Sequence, residues 1–412
     1  MKLPDLIFVS LDNWDDTWGR NQFICSILAQ HHPQSRILFV GLPRDFSHDL
    51  RCGRLGAAAG DLLGQGASPS TAKAPPNVTF LNPLKILPDR WRTSLAINQT
   101  IFRSSIRNAA RRLGMSRPIL WINAHQAAHL AGTLNESALI YDVTDDWTAF
   151  PQPARVLQRT IHQDQTLCRR ADAVIVCSNK LFEIKSNLVG GSLHLVANGV
   201  HPEHYDVVMD GIGELPPAAW AWPQPVFGYT GTVHPHRVDV QLVRDVASQM
   251  QSGSLVFIGP NHLPKSDRRS LAQTNRVIFH GPASYESLPQ LMRGFDVCMV
   301  PHLTTPFVQS LQPIKLWEYL AAGKPIVSTD VAGFRDYPQL VRIAANPRQF
   351  FAQLQEATKE YPDLSPRRRA EARINSWSKR VDQIETVLGQ AAGIRIESSS
   401  ATAPAALAWR TT

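Results

Sequence analysis

Cysteine is scarce in this chain of 412 residues: there are five, with no Cys-x-x-Cys pair and no metal-ligand spacing. That argues against a disulfide framework or a structural zinc. Cys177 and Cys298 sit in apolar runs and read as reduced, buried fillers. No apolar run reaches the length of a membrane-spanning helix. The opening Met1-Lys-Leu-Pro-Asp5 lacks a signal-peptide design, so the expected location is the cytoplasm. Internal repeats are absent. Acidic residues are the minority charge, 34 against 42 Lys and Arg, for a net +8. Such a balance suits an anionic membrane, nucleic acid, or solubility alone. Nucleic acid is not expected as a partner, because the basic residues lack interleaved aromatics and a known binding motif.

What basic charge there is concentrates at Arg90, Arg92, Arg103, Arg107, Arg111 and Arg112. Arg103, Arg107 and Arg111 recur at i, i+4 and i+8 and give one helix a basic side. Ile97, Ile101 and Phe102 offer an apolar side, with Ile106 nearer the edge. Two readings stand: a helix lying on an anionic membrane surface, which would make the protein peripheral on its inner face, or a solvated face packed on its own domain.

Short apolar runs alternate with helical patterns over most of the chain. The first series is Leu6–Ser10, Ile37–Val40, Val78–Leu81, Pro118–Ile122, Ala138–Tyr141, Ala173–Cys177 and His194–Val196. The second is Val226–Tyr229, Ser254–Ile258, Val277–Phe279, Val297–Val300, Pro325–Ser328 and Val341–Ile343. This alternation predicts an α/β fold with parallel sheets and helices on both faces. The expected organisation is two Rossmann-like domains facing a central cleft, residues 1–200 and 226–365. Residues 201–225, with Pro202, Pro216, Pro217, Pro223 and Pro225, read as a linker. Residues 366–390 form one long helical pattern around Trp377, and 391–412 read as a disordered tail. Gly53–Pro76 reads as a mobile loop.

The segment from Gln312 to Thr329 carries the most chemistry. Pro313 suits the first helical position. Gly323 suits the left-handed residue after the last turn, and Pro325 stops the helix. Lys315 and Glu318 share a face at i and i+3. Open N–H groups and a cation at a helix start suit phosphate, at a place where a cation alone opposes the helix dipole. A carboxylate one turn on accepts two hydrogen bonds from a diol. Diphosphate plus ribose is the outline of a nucleotide. Gly228-Tyr-Thr-Gly231 follows a strand, where glycine lets backbone N–H groups approach an anion. His234, His236 and Arg237 add positive charge, against the plainer reading of a tight turn. Gly259 ends a neighbouring strand as a wall for a base or as loop punctuation. His125 follows Pro118–Ile122 and polarises a hydroxyl or caps local backbone. Asp145 and Asp146 follow another strand as a general base or a structural cap. Trp14 and Trp18 stack on sugar faces or fill the domain.

These segments resemble the GT-B glycosyltransferases, family 4 in particular, the group 1 transferases. Gln312–Thr329 looks like that family's donor signature. Tyr141–Trp147, Ala171–Ser178 and Asn198–Val200 look like first-domain segments. Gly228–Asp239 looks like the opening of its second domain, and Phe295–Pro301 like the strand before the donor loop. Asn13–Gln22 resembles a bacterial subgroup of surface-polysaccharide enzymes that includes teichuronic acid transferases. The resemblance implies transfer of a sugar, with retention, from a nucleotide-diphosphate sugar to a glycan or lipid-linked glycan, with no cofactor and no metal. It implies donor binding at Gly231, Thr232, His234, Gly259, Ser310, Pro313, Ile314, Lys315, Leu316 and Glu318. Arg237 and Lys315 would receive the leaving diphosphate, His125 would contact the donor sugar, and Asp145 and Asp146 would serve the acceptor side. Trp14, Asp15, Asp16 and Arg20 stand where acceptors bind. Two features depart from the family pattern: Ser310 replaces the first of two glutamates, and Thr232 and Arg237 stand near the usual Arg and Lys of the phosphate loop. The rival readings are a nucleotide-sugar epimerase of the same architecture, which would need no acceptor, and a non-catalytic partner subunit.

Overall fold

The computed structural model describes residues 2–15, 18–45, 74–85, 87–88, 91–211, 213–360 and 363–396. Two compact units divide the chain, Met1–Val196 with the segment from Arg380, and Ala197–Lys379. Most of the loop expected at Gly53–Pro76, and the tail beyond residue 396, lie outside the described residues.

In the first unit the apolar runs become strands β1 (Leu6–Val9), β2 (Ile37–Val40), β4 (Val78–Leu81), β6 (Ile119–Ile122), β7 (Ala138–Val143), β8 (Ala173–Val176) and β9 (Ser192–Leu195). They form one seven-stranded sheet in the order β4-β2-β1-β6-β7-β8-β9, and every pair is parallel. β1, β2, β6 and β8 are buried throughout, which is why each reads as an unbroken apolar run rather than an alternation. Phe8 stacks on Phe39 and Trp121 at ring distances of 5.7 and 5.0 Å. A separate pair, β3 (Arg44–Asp45) with β5 (Leu84–Lys85), carries no periodic signal in the sequence.

The second unit repeats the plan with β10 (Val226–Thr230), β11 (Ser254–Ile258), β12 (Val277–Gly281), β13 (Val297–Val300), β14 (Ile326–Thr329) and β15 (Arg342–Ala344). Their order, β12-β11-β10-β13-β14-β15, is that of a dinucleotide-binding sheet. It reverses between β10 and β13, so the crevice where such sheets take ligands opens at the carboxyl ends of these two strands.

Three expectations about organisation need correction. Residues 201–225 are not an open linker. They hold the short helices Pro202–Tyr205, Asp206–Asp210 and Pro217–Trp220, and Tyr205, Val208 and Trp222 are buried. The prolines start helical turns there because their fixed φ suits the first turn. The second unit also begins at Ala197, so Asn198–Val200 belongs to it rather than to the first. Finally, residues 366–390 are two helices, Leu364–Ile374 and Trp377–Ala391. The break at Asn375-Ser376 lets the Trp377 N–H bond the Val200 carbonyl at 2.9 Å.

The basic helix is Arg92–Arg112. Its apolar side is Phe102, Ile106 and Ala110, all inside the core of the first unit. Ile106 is therefore central rather than marginal, and Ile97 is exposed. Arg107 reaches the Thr133 carbonyl at 2.8 Å. Phe102, Ile106 and Ala110 are thus spent on the protein's own core, while Arg107, Arg111 and Arg112 are exposed.

Candidate nucleotide site

Two loops converge at the crevice of the second sheet. After β10 the chain turns at Gly231, whose φ of +107° is open to glycine alone. A Cβ there would meet the Lys315 ammonium, and a Cβ on Gly259 would lie 2.3 Å from the Gly231 carbonyl oxygen. The two glycines thus let the β10 and β11 loops pack backbone to backbone. The Gly231 N–H bonds the Ile258 carbonyl, and the Val233 N–H the Pro260 carbonyl, each at 2.8 Å. Gly259 is buried in this role. Further on, the Asp239 N–H bonds the Pro301 carbonyl and the Leu303 N–H the Arg237 carbonyl, both at 2.8 Å. This fixes the His234–Arg237 turn against the end of β13.

Helix Ile314–Ala321 enters the same place. Pro313 caps it with an extended ψ of 129° and is not its first helical residue. Gly323 is left-handed, φ +68°, as its position predicts. Tyr319 ties the helix to β10: its hydroxyl accepts from the Thr230 N–H at 2.8 Å. Asn198 holds the approach, its N–H and side-chain amide each meeting Gln312 at 2.5 Å. Leu316 is fully buried, so its side chain is core rather than ligand contact. Ile314 is half-buried on the first turn. Ser310 is fully buried and its hydroxyl donates to the Phe307 carbonyl at 2.7 Å. A hydroxyl spent on its own short helix does not stand in for a glutamate.

Lys315 is the centre of the arrangement. Its ammonium donates to the Tyr229 hydroxyl at 2.7 Å and lies 4.1 Å from the centre of that ring. The same hydroxyl lies 3.2 Å from His302 Nε2, and His302 is buried at the end of β13. Burial and the nearby Arg237 guanidinium push the lysine down to about 7, against a smaller upward pull from Glu318. Burial, Lys315 and Arg237 together hold His302 well below its ordinary range and therefore neutral. His234 is lowered by burial and then by His236, Arg237 and His262. Basic groups crowded together so that Lys315, His302 and His234 are all lowered mark a place prepared for an anion. Thr232 is half-buried beside them, and its carbonyl accepts from the Tyr229 hydroxyl at 3.2 Å.

Glu318 lies one turn along the helix. Burial raises its carboxyl, while the Tyr205 hydroxyl and Lys315 pull it down. Beside it, His204 stacks on Tyr285 with ring centres 4.0 Å apart. Sequence reasoning missed Tyr229, His302, Tyr319, Tyr205 and Tyr285. For the first two a signal existed, since Tyr229 lies inside the glycine motif and His302 directly follows the Phe295–Pro301 strand.

The first unit treats its candidates differently. Trp14 is core: it is 3% exposed and packs on Trp18, Phe39 and Phe80 with ring centres 5.3, 5.2 and 4.9 Å away. No face remains for a sugar. Arg20 is buried and pairs with Asp142 through two hydrogen bonds of 3.0 and 3.1 Å, with a third to the Val196 carbonyl at 2.9 Å. It is a structural ion pair, not an acceptor contact. Asp146 is buried and closes its own turn, accepting from the Thr148 N–H at 3.1 Å and its hydroxyl at 2.5 Å. Asp145 is half-buried and accepts from Thr144 at 3.1 Å, and Asp15 is exposed. Asp16 lies outside the described residues. His125 begins a 3₁₀ turn after β6, 6.2 Å from the Trp147 ring, and burial lowers it to about 4. Beyond the carboxyl end of this sheet is a cavity of about 210 Å³, with Leu42, Leu95 and Phe102 among its walls and Asn98, His129 and Arg159 as polar lining.

Two Rossmann-type units in one chain, with a cationic crevice at the switch point of the second, define a GT-B chain. Residues 224–359 match the family model described as glycosyl transferases group 1. The Bacillus subtilis protein named as a teichuronic acid biosynthesis glycosyltransferase, TuaH, is 26% identical over 234 residues. That match spans 52% of this chain and only about half, 56%, of the relative. Among solved structures, sucrose-phosphate synthase of Thermosynechococcus elongatus matches with a TM-score of 0.68 at 15% identity, covering 94% of this chain and 98% of that one. Anabaena HepE, solved with UDP-glucose, matches at 0.66 and 16%, covering 93% and 99%. The trehalose-phosphate synthase of Burkholderia vietnamiensis matches at 0.63 and 14%, covering 94% and 99%. These likenesses are of fold.

Proposed function

We propose that this protein is a glycosyltransferase of surface-polysaccharide assembly that takes its sugar from a nucleotide-diphosphate donor. One observation carries the reading: buried Lys315, donating to the Tyr229 hydroxyl at 2.7 Å, is depressed by burial and by the neighbouring Arg237 at the switch point, where a diphosphate would relieve it. In the reaction, negative charge grows on the departing diphosphate. Two cations and the first N–H groups of helix Ile314–Ala321 receive it without reorganising. Glu318 accepts hydrogen bonds from the ribose diol. The acceptor is a glycan or a lipid-linked glycan, and the transfer retains anomeric configuration as in family 4 transferases. His125 serves the donor sugar, and Asp145, which is not buried, serves the acceptor hydroxyl better than Asp146. Catalysis needs no metal in the donor site. Arg103, Arg107 and Arg111, the last two exposed, favour an anionic membrane surface by charge alone, without insertion. The relative named for teichuronic acid biosynthesis supports the pathway class, and a fold neighbour's complex with UDP-glucose supports the donor class.

The test is a thermal-shift screen of the full chain against UDP-, GDP-, ADP- and dTDP-sugars, followed by donor turnover with and without acceptor. At 100 times its Kd a donor should stabilise by about 2.7 kcal/mol. Turnover that needs acceptor supports transfer. Free sugar product without acceptor supports an epimerase, and binding without turnover supports a non-catalytic subunit.

A further inference from the structure

Far along the chain from the nucleotide site, two helices of the first unit meet through an ionic cluster that the proposed chemistry does not use. Helix Arg20–His31 ends in His31 and is capped by His32. Helix Trp377–Ala391 brings Asp382 and Glu385, one turn apart, to the same place. Glu385 Oε1 meets His31 Nδ1 at 2.8 Å and His32 Nε2 at 3.0 Å. Glu385 is 2% exposed, and its second oxygen has no hydrogen-bond partner among the described residues. A buried carboxylate oxygen left in that state is destabilising unless something else satisfies it. Asp382 is exposed at the rim. One ligand atom each from His31, Asp382 and Glu385 lie within 4.8 Å of one another.

We propose that His31, Asp382 and Glu385 form a binding site for a first-row divalent transition ion, with His32 as the positioning residue that orients the Glu385 carboxylate. Three protein ligands of imidazole and carboxylate type suit an ion of zinc's class, whose N and O ligands stand at about 2.0–2.2 Å. Holding an ion at that distance requires the three atoms, which lie within 4.8 Å of one another, to draw closer around it. The ion would occupy the side of Glu385 that no protein donor serves, and His32 would hold the other oxygen. A histidine or carboxylate held by an outer partner is the usual support of such a site. The imidazole ligand favours a transition ion over Mg²⁺, which prefers oxygen and keeps its waters. The site pins the C-terminal helix, from Arg380 onward, to helix Arg20–His31. It is separate from the donor site and gives structural stability rather than catalysis.

The experiment uses the full chain, stripped with a chelator and titrated with Zn²⁺, reading bound metal per chain and melting temperature. The expected result is about one Zn²⁺ per chain with a saturable rise in melting temperature, and no comparable response to Mg²⁺. Asp382→Asn, at an exposed position, keeps the metal-free melting temperature and loses the zinc response. His32→Gln weakens zinc affinity roughly 10–100-fold. Retention of less than a tenth of an equivalent by the wild type overturns the proposal, as does equal zinc affinity in Asp382→Asn or an equal response to Mg²⁺. Nucleotide-sugar binding, read in parallel, stays unchanged in Asp382→Asn, so failure here leaves the donor-site reading standing.

Discussion

The Lys315 ammonium lies 2.7 Å from the Tyr229 hydroxyl and over its ring, with the Arg237 guanidinium near enough to depress it. A lysine in this setting is poorly matched to an empty site and well matched to an anion. Most of the expected behaviour of the protein follows from that mismatch.

Donor binding should depend on pH. Lys315 is held at about 7 rather than its ordinary 10.5. A bound diphosphate favours the protonated form and raises it again. Below pH 7 the cation is already present, so affinity is flat. Above pH 7 binding must recruit a proton, and affinity should fall by up to about tenfold per pH unit until the bound-state value is reached. Calorimetric Kd values at pH 6 to 9 check this, and in Lys315→Met the slope should vanish.

The same lysine should cost stability when no ligand is present. Between pH 7 and 10.5 the unfolded chain holds a proton at Lys315 that the folded chain has lost, so folding is favoured as pH rises through that window. Lys315→Met removes the penalty and should stabilise the ligand-free protein by on the order of 1 kcal/mol below pH 7. Paired chemical denaturation curves at pH 6.5 read it.

Turnover should separate the roles of the donor residues. Lys315→Ala and Arg237→Ala each lower kcat by roughly 10²–10³ if they receive the leaving diphosphate. Glu318→Ala acts chiefly on donor affinity, losing about 1.5–3 kcal/mol, the worth of hydrogen bonds to a charged group. Steady-state kinetics with donor varied distinguish the two patterns.

Arg20 offers the opposite control. Its buried pair with Asp142 supports the first unit alone. Arg20→Ala leaves that carboxylate buried without its partner and should destabilise the protein by about 3–5 kcal/mol. The donor Kd of the fraction that folds should not change. Denaturation midpoints and calorimetry on the same preparation test both halves.

Every apolar run named in the sequence overlaps a strand of the structure, and the central strands among them are apolar from end to end because they are buried on both faces. Lys315, Arg237 and the glycine loop were legible for a related reason: a sheet's switch point has recurrent local chemistry. What could not be read lies in contacts across the chain. Arg20 meets Asp142, 122 residues away, and nothing near Arg20 announces a buried partner. Trp14 sits beside polar neighbours in sequence but against Phe39 and Phe80 in space. Residues 201–225 misled through proline density, while the spaced apolar Tyr205, Val208 and Trp222 carried the true pattern. Tyr319, pinned to Thr230, reads in the sequence as ordinary helix core.

The most direct measurement is the proton balance of nucleotide binding. The full chain is titrated at pH 8 with UDP, GDP, ADP and dTDP in buffers of different ionisation enthalpy. The account predicts that the nucleotide that binds brings about one proton with it, and that this uptake disappears in Lys315→Met. Binding with no proton uptake, or an unchanged uptake in that variant, would contradict the assignment of Lys315 to the diphosphate.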